Sequence, residues 1–158
     1  MLQYYGADPE FSLEGKTAVI TGGAAGIGYE TAKFFAKKGV NLVLADLNPG
    51  VDEIAKELDP KAVGIAGDVT NGAYRQSVVD LGVKQFGQID ILVNCAGIVA
   101  LEKAELISES DWDRTMNINL KSSFMMAQLL GKYFIDNHVN GSIVNIASQA
   151  GVIALDKH

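Results

Sequence analysis

Three glycines and a few acids, amides and hydroxyls carry the chemical content of this chain. Gly22, Gly26 and Gly28 stand in Thr21-Gly22-Gly23-Ala24-Ala25-Gly26-Ile27-Gly28. An apolar run, Thr17 to Ile20, precedes them, and an amphipathic run, Tyr29 to Lys38, follows and is closed by Gly39. Strand, glycine turn and helix in that order aim the first free N–H groups of the helix at one point, where the helix dipole is positive. Such a point attracts phosphate, and glycines let a pyrophosphate approach the backbone without meeting a Cβ. Gly22, Ala25, Gly26, Ile27 and Gly28 are therefore candidate phosphate-binding residues. The spacing is not G-x-G-x-x-G, and no Gly-Lys-Ser/Thr follows, which speaks against a P-loop. Many glycine turns only join a strand to a helix, so the rest of the chain must decide.

Strands and helices alternate along the sequence. Buried-type strands are expected at 41–45, 62–66, 89–93 and 142–147. Asn48 is the expected cap of a helix with Pro49 in its first turn and an end near Leu58. Thr70 is the expected cap of a helix that reaches Phe86 and stops at Gly87. Ser108-Glu109-Ser110-Asp111 reads as a capping box with Asp in place of Glu, opening a long helix from about Trp112 to Asp136. Short apolar strands between amphipathic helices imply an α/β fold with a parallel sheet covered on both faces. Right-handed crossovers and the position of the glycine turn give a doubly wound order 3-2-1-4-5, with ligands bound beyond the carboxyl ends of the strands.

The residues at those ends form a consistent set. Asp46 closes the second strand eighteen residues after Gly28. An acid at that distance accepts both hydroxyls of an adenosine ribose and repels a 2′-phosphate. With Leu47 beside it and no Lys or Arg at Ala24-Ala25, NAD is favoured over NADP. Asp68, after the third strand, can accept from an adenine amino group, and Val69 can flank the ring; Asp68 could equally serve only the turn before Thr70. After the fourth strand, Asn94-Cys95-Ala96-Gly97 lets a cofactor lie against the backbone, while the Asn94 amide can tie neighbouring strand ends together. Cys95 has no base apparent nearby and reads as a packed side chain. Ser148 and Gln149, after the fifth strand, face the same crevice; Gln149 can hydrogen-bond a polar substrate or be solvated.

The chain's 158 residues suffice for a real core, and a hydrophobic fraction of 48% is ordinary for a globular protein. The net charge of −6 disfavours a nucleic-acid surface. No apolar run reaches the roughly 20 residues of a membrane span. Residues 1–14 read as a polar leader without signal-peptide character, ahead of one domain over 15–158. The single cysteine fits a reducing compartment, so a cytoplasmic location is expected. Only His138 and His158 occur, and no Cys/His cluster supports a metal site.

Taken in order, the glycine turn, Asp46, Asp68-Val69, Asn94-Cys95-Ala96-Gly97, Asn117-Ile118-Asn119-Leu120 and Gly141 to Ser148 resemble the short-chain dehydrogenase/reductase family, from about Leu13 to Gly151. Cys95 departs from the family's usual Asn-Asn-Ala-Gly. The resemblance implies a Rossmann-like fold and an NAD(P)-dependent alcohol–carbonyl oxidoreductase. It implies Ser148 as the serine that orients the substrate oxygen and Asn119 as the asparagine that supports a proton-relay water. The family's Tyr-x-x-x-Lys would fall about three places beyond His158, so these 158 residues are expected to turn over no alcohol alone and to leave the fifth strand as an associating edge. A secondary alcohol, with a polyol or sugar alcohol first, is the expected substrate. A 3-oxoacyl reductase and a non-catalytic dinucleotide sensor are the alternatives. The resemblance also implies a dimer or tetramer built on the long helix, in which Met125, Met126, Leu129, Leu130 and Phe134 supply either interface or core.

Overall fold

The computed structural model describes residues 12–151. The expected leader lies outside the described residues as far as residue 11, while Leu13 already packs, half-buried, against the core. In chain order the elements are β1 (Thr17–Thr21), α1 (Gly26–Ala36), β2 (Asn41–Asp46), α2 (Val51–Leu58), β3 (Val63–Ala66), α3 (Gly72–Phe86), β4 (Ile91–Asn94), α4 (Glu109–Met116), α5 (Ser123–Asp136) and β5 (Ser142–Asn145). A π-helical stretch, Asn117–Ser122, joins α4 to α5, and short 3-10 turns lie at Ala104–Leu106 and Gln149–Gly151.

The sheet runs β3-β2-β1-β4-β5 with every pair parallel, the doubly wound order read from the sequence. Alternate strand residues feed two cores. Ala18, Ile20, Leu42, Leu44, Ile91 and Val93 meet Ala32 of α1 and Val51 and Ala55 of α2 on one face. Val19, Val43, Ala45 and Leu92 meet Val78 and Val79 of α3 and Met126, Leu130 and Phe134 of α5 on the other. Of the apolar residues expected to serve either core or interface, Met126, Leu130 and Phe134 are thus core. The sheet ends at β5, whose four residues are all exposed.

Several boundaries move for local reasons. α1 begins at Gly26 because the glycine turn supplies its first turn. Asn48 does not cap α2: its Oδ1 accepts from Gly50 N at 2.9 Å in an Asx turn, which leaves Pro49 outside a helix that starts at Val51. α3 is capped by Asn71 and not by Thr70; Asn71 Oδ1 accepts from Ala73 N and Tyr74 N at 2.8 and 3.2 Å, while Thr70 N donates to Asp68 Oδ1. The Ser108 cap stands as expected, with Asp111 N donating to its Oγ at 3.1 Å and its hydroxyl donating to Asp111 Oδ2 at 2.6 Å. A helix capped at Ser108 must begin at Glu109, three residues before Trp112.

Candidate functional site

The carboxyl ends of the strands form one cleft made of three adjoining hollows, all of which share Ala96 and Gly97. The near hollow is lined by Asp46, Leu47, Asp68, Val69 and Tyr74, together with Ile98 and Ile118. The middle hollow is lined by Gly22, Ala25, Gly26, Ile27 and Gly28. The far hollow holds Cys95, Val99, Asn119, Ile146, Ala147 and Ser148.

In the middle hollow, Ala25 stands at the N-terminus of α1 and no side chain caps it, so the first helical N–H groups face the cleft. Gly22, at φ +65°, needs its glycine twice, because a Cβ there would also lie 2.9 Å from Ala96 N. At Gly28 a Cβ would lie 2.1 Å from Gly22 O, so glycine lets the helix start directly against the turn. Gly22 N donates to Ala45 O at 2.8 Å, which fixes the turn to β2. Uncapped amides with no Cβ over them fit the diphosphate of a dinucleotide.

The Asp46 carboxylate is bound to that turn. Its Oδ2 accepts from Ala24 N at 3.0 Å and its Oδ1 from Asn48 N at 2.9 Å. Each oxygen keeps a lone pair for a ribose hydroxyl. Across the hollow, Asp68 does serve its turn, accepting from Thr70 N at 2.8 Å, and it lines the cleft as well. Tyr74, which the sequence offered no role in binding, forms part of this wall and donates to Ile65 O at 2.7 Å. Burial, with the Asp46 and Asp68 carboxylates adding to it, pushes the Tyr74 phenol up to about 12, so it remains a donor.

At the far end, Asn119 lies in the π-helical stretch, a local form that recurs at functional sites. Its Oδ1 accepts from Ile98 N and its Nδ2 donates to Ile98 O, both at 2.8 Å, so it clamps the loop after β4. One lone pair and one N–H remain for water. Ser148 is exposed in the hollow and its Oγ accepts from Ala150 N at 3.1 Å. Gln149 is exposed in the following 3-10 turn and does not line any of the three hollows. Burial raises the Cys95 thiol, in keeping with a packed side chain.

Asn94 stands apart from the other cofactor candidates. It is buried, lines none of the three hollows, and donates through Nδ2 to Asn145 Oδ1 at 2.9 Å and Ser123 O at 3.2 Å. It ties β4 to β5 and α5, the structural alternative read from its amide. Thr21 was not legible as a site residue. Its buried hydroxyl accepts from Cys95 N and Ala96 N, both at 3.2 Å, and so locks the end of β4 onto β1 under the cleft. Its signal was only its place at the head of the glycine stretch; the structure makes it the last residue of β1.

The family model described as short chain dehydrogenase matches residues 16–157. The chain belongs to the short-chain dehydrogenase family. Among its relatives, an NAD-dependent glycerol dehydrogenase of Listeria innocua is 44% identical over 99% of this chain and 62% of that protein. A D-threitol dehydrogenase of Mycolicibacterium smegmatis is 44% identical over 99% and 61%. A 3-oxoacyl-[acyl-carrier-protein] reductase of Thermotoga maritima is 38% identical over 89% and 58%. The crystal structure of a short chain dehydrogenase from Bacillus anthracis superposes with a TM-score of 0.86 at 29% identity, over 92% of this chain and 60% of that one. The chain thus spans about three fifths of the length of these short-chain dehydrogenases. Among the described residues, no helix is long and apolar enough to cross a membrane, and no cluster of His, Cys, Asp and Glu could hold a metal ion.

Proposed function

We propose that this short-chain dehydrogenase is the coenzyme-binding part of an NAD-dependent oxidoreductase that interconverts a secondary alcohol, a polyol first, and its ketone. The observation that carries the reading is Asp46, tied to Ala24 of the glycine turn at 3.0 Å with no basic side chain at Leu47, Ala24 or Ala25. Its charge repels a 2′-phosphate and its free lone pairs accept ribose hydroxyls. The polyol preference is supported by the two relatives named for glycerol and threitol, which are more similar than the 3-oxoacyl reductase.

In this reading the amides of Ala25, Gly26 and Ile27 hold the diphosphate, Asp68 and Val69 hold the adenine, and Ala96 and Gly97 admit the nicotinamide side along the backbone. Bound nicotinamide supplies the hydride acceptor. Ser148 Oγ orients the substrate oxygen, and Asn119 keeps the Ile98 loop in place while holding a water with its remaining N–H. Neither Ser148 nor Asn119 has the basicity to take an alcohol proton, so that role falls to the Tyr-x-x-x-Lys the family resemblance implies.

Self-association also fits. Trp112, Met116, Leu120 and Phe124 are 59%, 36%, 59% and 61% exposed on successive turns of α4, the π stretch and α5. The wider π turn offsets the drift that a four-residue spacing accumulates in an α-helix, keeping one apolar face. This stripe, and not Met126, Leu130 and Phe134, is the interface candidate.

Calorimetric titration with NAD and NADP tests the coenzyme reading. NAD is expected to bind at least about tenfold more tightly, and Asp46→Ala to narrow that gap. Equal affinity for both in the unaltered chain would remove Asp46 from its role. Turnover of glycerol, threitol and sorbitol against an acetoacetyl thioester, by the longest natural form of the protein, tests the substrate class.

A further inference from the structure

The coenzyme reading leaves one buried cation without a task. Arg75, the fourth residue of α3, is only 9% exposed. Among the described residues no carboxylate forms an ion pair with it. A buried guanidinium is unfavourable unless its donors are engaged, and the first turn of a helix, where the dipole is positive, is a poor place for a cation. Arg75 nevertheless sits there and donates from Nη1 to Val69 O at 2.7 Å and to Thr70 O at 2.8 Å.

Those two carbonyls belong to the turn whose side chains wall the adenosine half of the cleft. The same turn of α3 also grips β3 and the glycine that follows it. The Tyr74 hydroxyl donates to Ile65 O, and its ring lies so close over Gly67 that a Cβ there would meet it at 2.4 Å. Thr70 N, from a residue whose carbonyl Arg75 holds, fixes Asp68 Oδ1 at 2.8 Å. The guanidinium therefore sits two hydrogen bonds, through Thr70, behind the carboxylate that would read a purine.

We infer that Arg75 is a positioning residue for the adenine: by fixing the Val69 and Thr70 carbonyls it holds the Asp68 carboxylate and the Val69 side chain in the geometry that selects an amino-purine. The inference rests on the dinucleotide reading above, and it concerns base selectivity, which a merely structural arginine would not affect.

Titration with NAD and with nicotinamide hypoxanthine dinucleotide, which lacks the adenine amino group, separates the two. The unaltered chain is expected to prefer NAD by roughly tenfold, the worth of one hydrogen bond to a charged acceptor. Arg75→Met is expected to reduce that preference to about twofold, and Arg75→Gln, which keeps one amide donor, to restore part of it. If Arg75→Met does not fold, Arg75→Gln alone decides, with a preference below that of the unaltered chain expected. An unchanged preference in a folded variant, whatever happens to its melting temperature, overturns the positioning role. So does the absence of any preference in the unaltered chain. Failure of the unaltered chain to bind either dinucleotide instead overturns the coenzyme reading itself.

Discussion

The two halves of the cleft are built differently. On the side of Asp46 and Asp68, every strand end is tied back into the fold: Asp46 to the glycine turn, Gly67 N to Asp46 O at 2.8 Å, β3 to Tyr74 and the turn after it to Arg75. The supporting strands β1 and β2 are almost wholly buried. On the opposite side, Ser148 and Asn119 are exposed, Val99 and Leu101 are 66% and 68% exposed, and β5 is exposed throughout. The two sides therefore differ in how firmly they are held: the side of Asp46 and Asp68 is fixed by packing and hydrogen bonds among the described residues, and the side of Ser148 and Asn119 lies open to solvent.

The sharpest way to break that contrast is at Gly28. A methyl group there would overlap Gly22 O, so Gly28→Ala is expected to cost about 3 kcal/mol in urea unfolding and to abolish NAD binding in the same sample. Retention of both would mean that the glycine turn is not the rigid part of the site.

The seam between the halves, β1 against β4, comes next. Asp90 Oδ2 accepts from Thr17 N at 2.9 Å, and its Oδ1 takes Lys16 Nζ at 3.1 Å and Gln88 Nε2 at 2.8 Å. Burial alone would raise this carboxyl, but the donors more than offset it and hold it below the usual range. A depressed folded pKa contributes stability above the ordinary value near ~3.9, and loses it as pH falls through the folded value. Asp90→Asn is expected to cost about 1.5 kcal/mol at pH 7 and to flatten the loss of stability as pH falls below about 4, as read from urea midpoints. An identical acid profile in the variant would assign that loss to other carboxylates.

Smaller still is His138, which takes φ +54° just after α5. There His138 N donates to Ile135 O and Val139 N to Phe134 O, a turn that favours glycine. His138→Gly is expected to add about 0.5 kcal/mol of stability, net of the entropy that glycine adds to the unfolded chain, and so to raise the melting midpoint with NAD affinity unchanged. The smallest expected effect is that of Ser148→Ala. Its exposed hydroxyl should alter stability and coenzyme affinity by less than about 0.5 kcal/mol, and a large loss of NAD affinity would show that the two halves are coupled after all.

What the amino-acid sequence determined by itself was periodic or local. Alternating apolar runs and amphipathic helices specify a parallel sheet, and the glycine turn with Asp46 eighteen residues on marks the two strand ends that meet in the cleft, since both signals depend on neighbours along the chain. The Ser108 cap was legible for the same reason. Only the tertiary structure decided the roles that depend on neighbours across the chain. It turned Asn94 into a tie between strands, moved two caps by a residue or more where Asn48 and Thr70 met other partners, and divided the long helix between a core face and an outer stripe through a π turn. It also brought Thr21, Tyr74 and Arg75 under the site. Their hydroxyl and guanidinium groups are ordinary in sequence and meet their partners only in carbonyls and amides that folding places within about 3 Å of them.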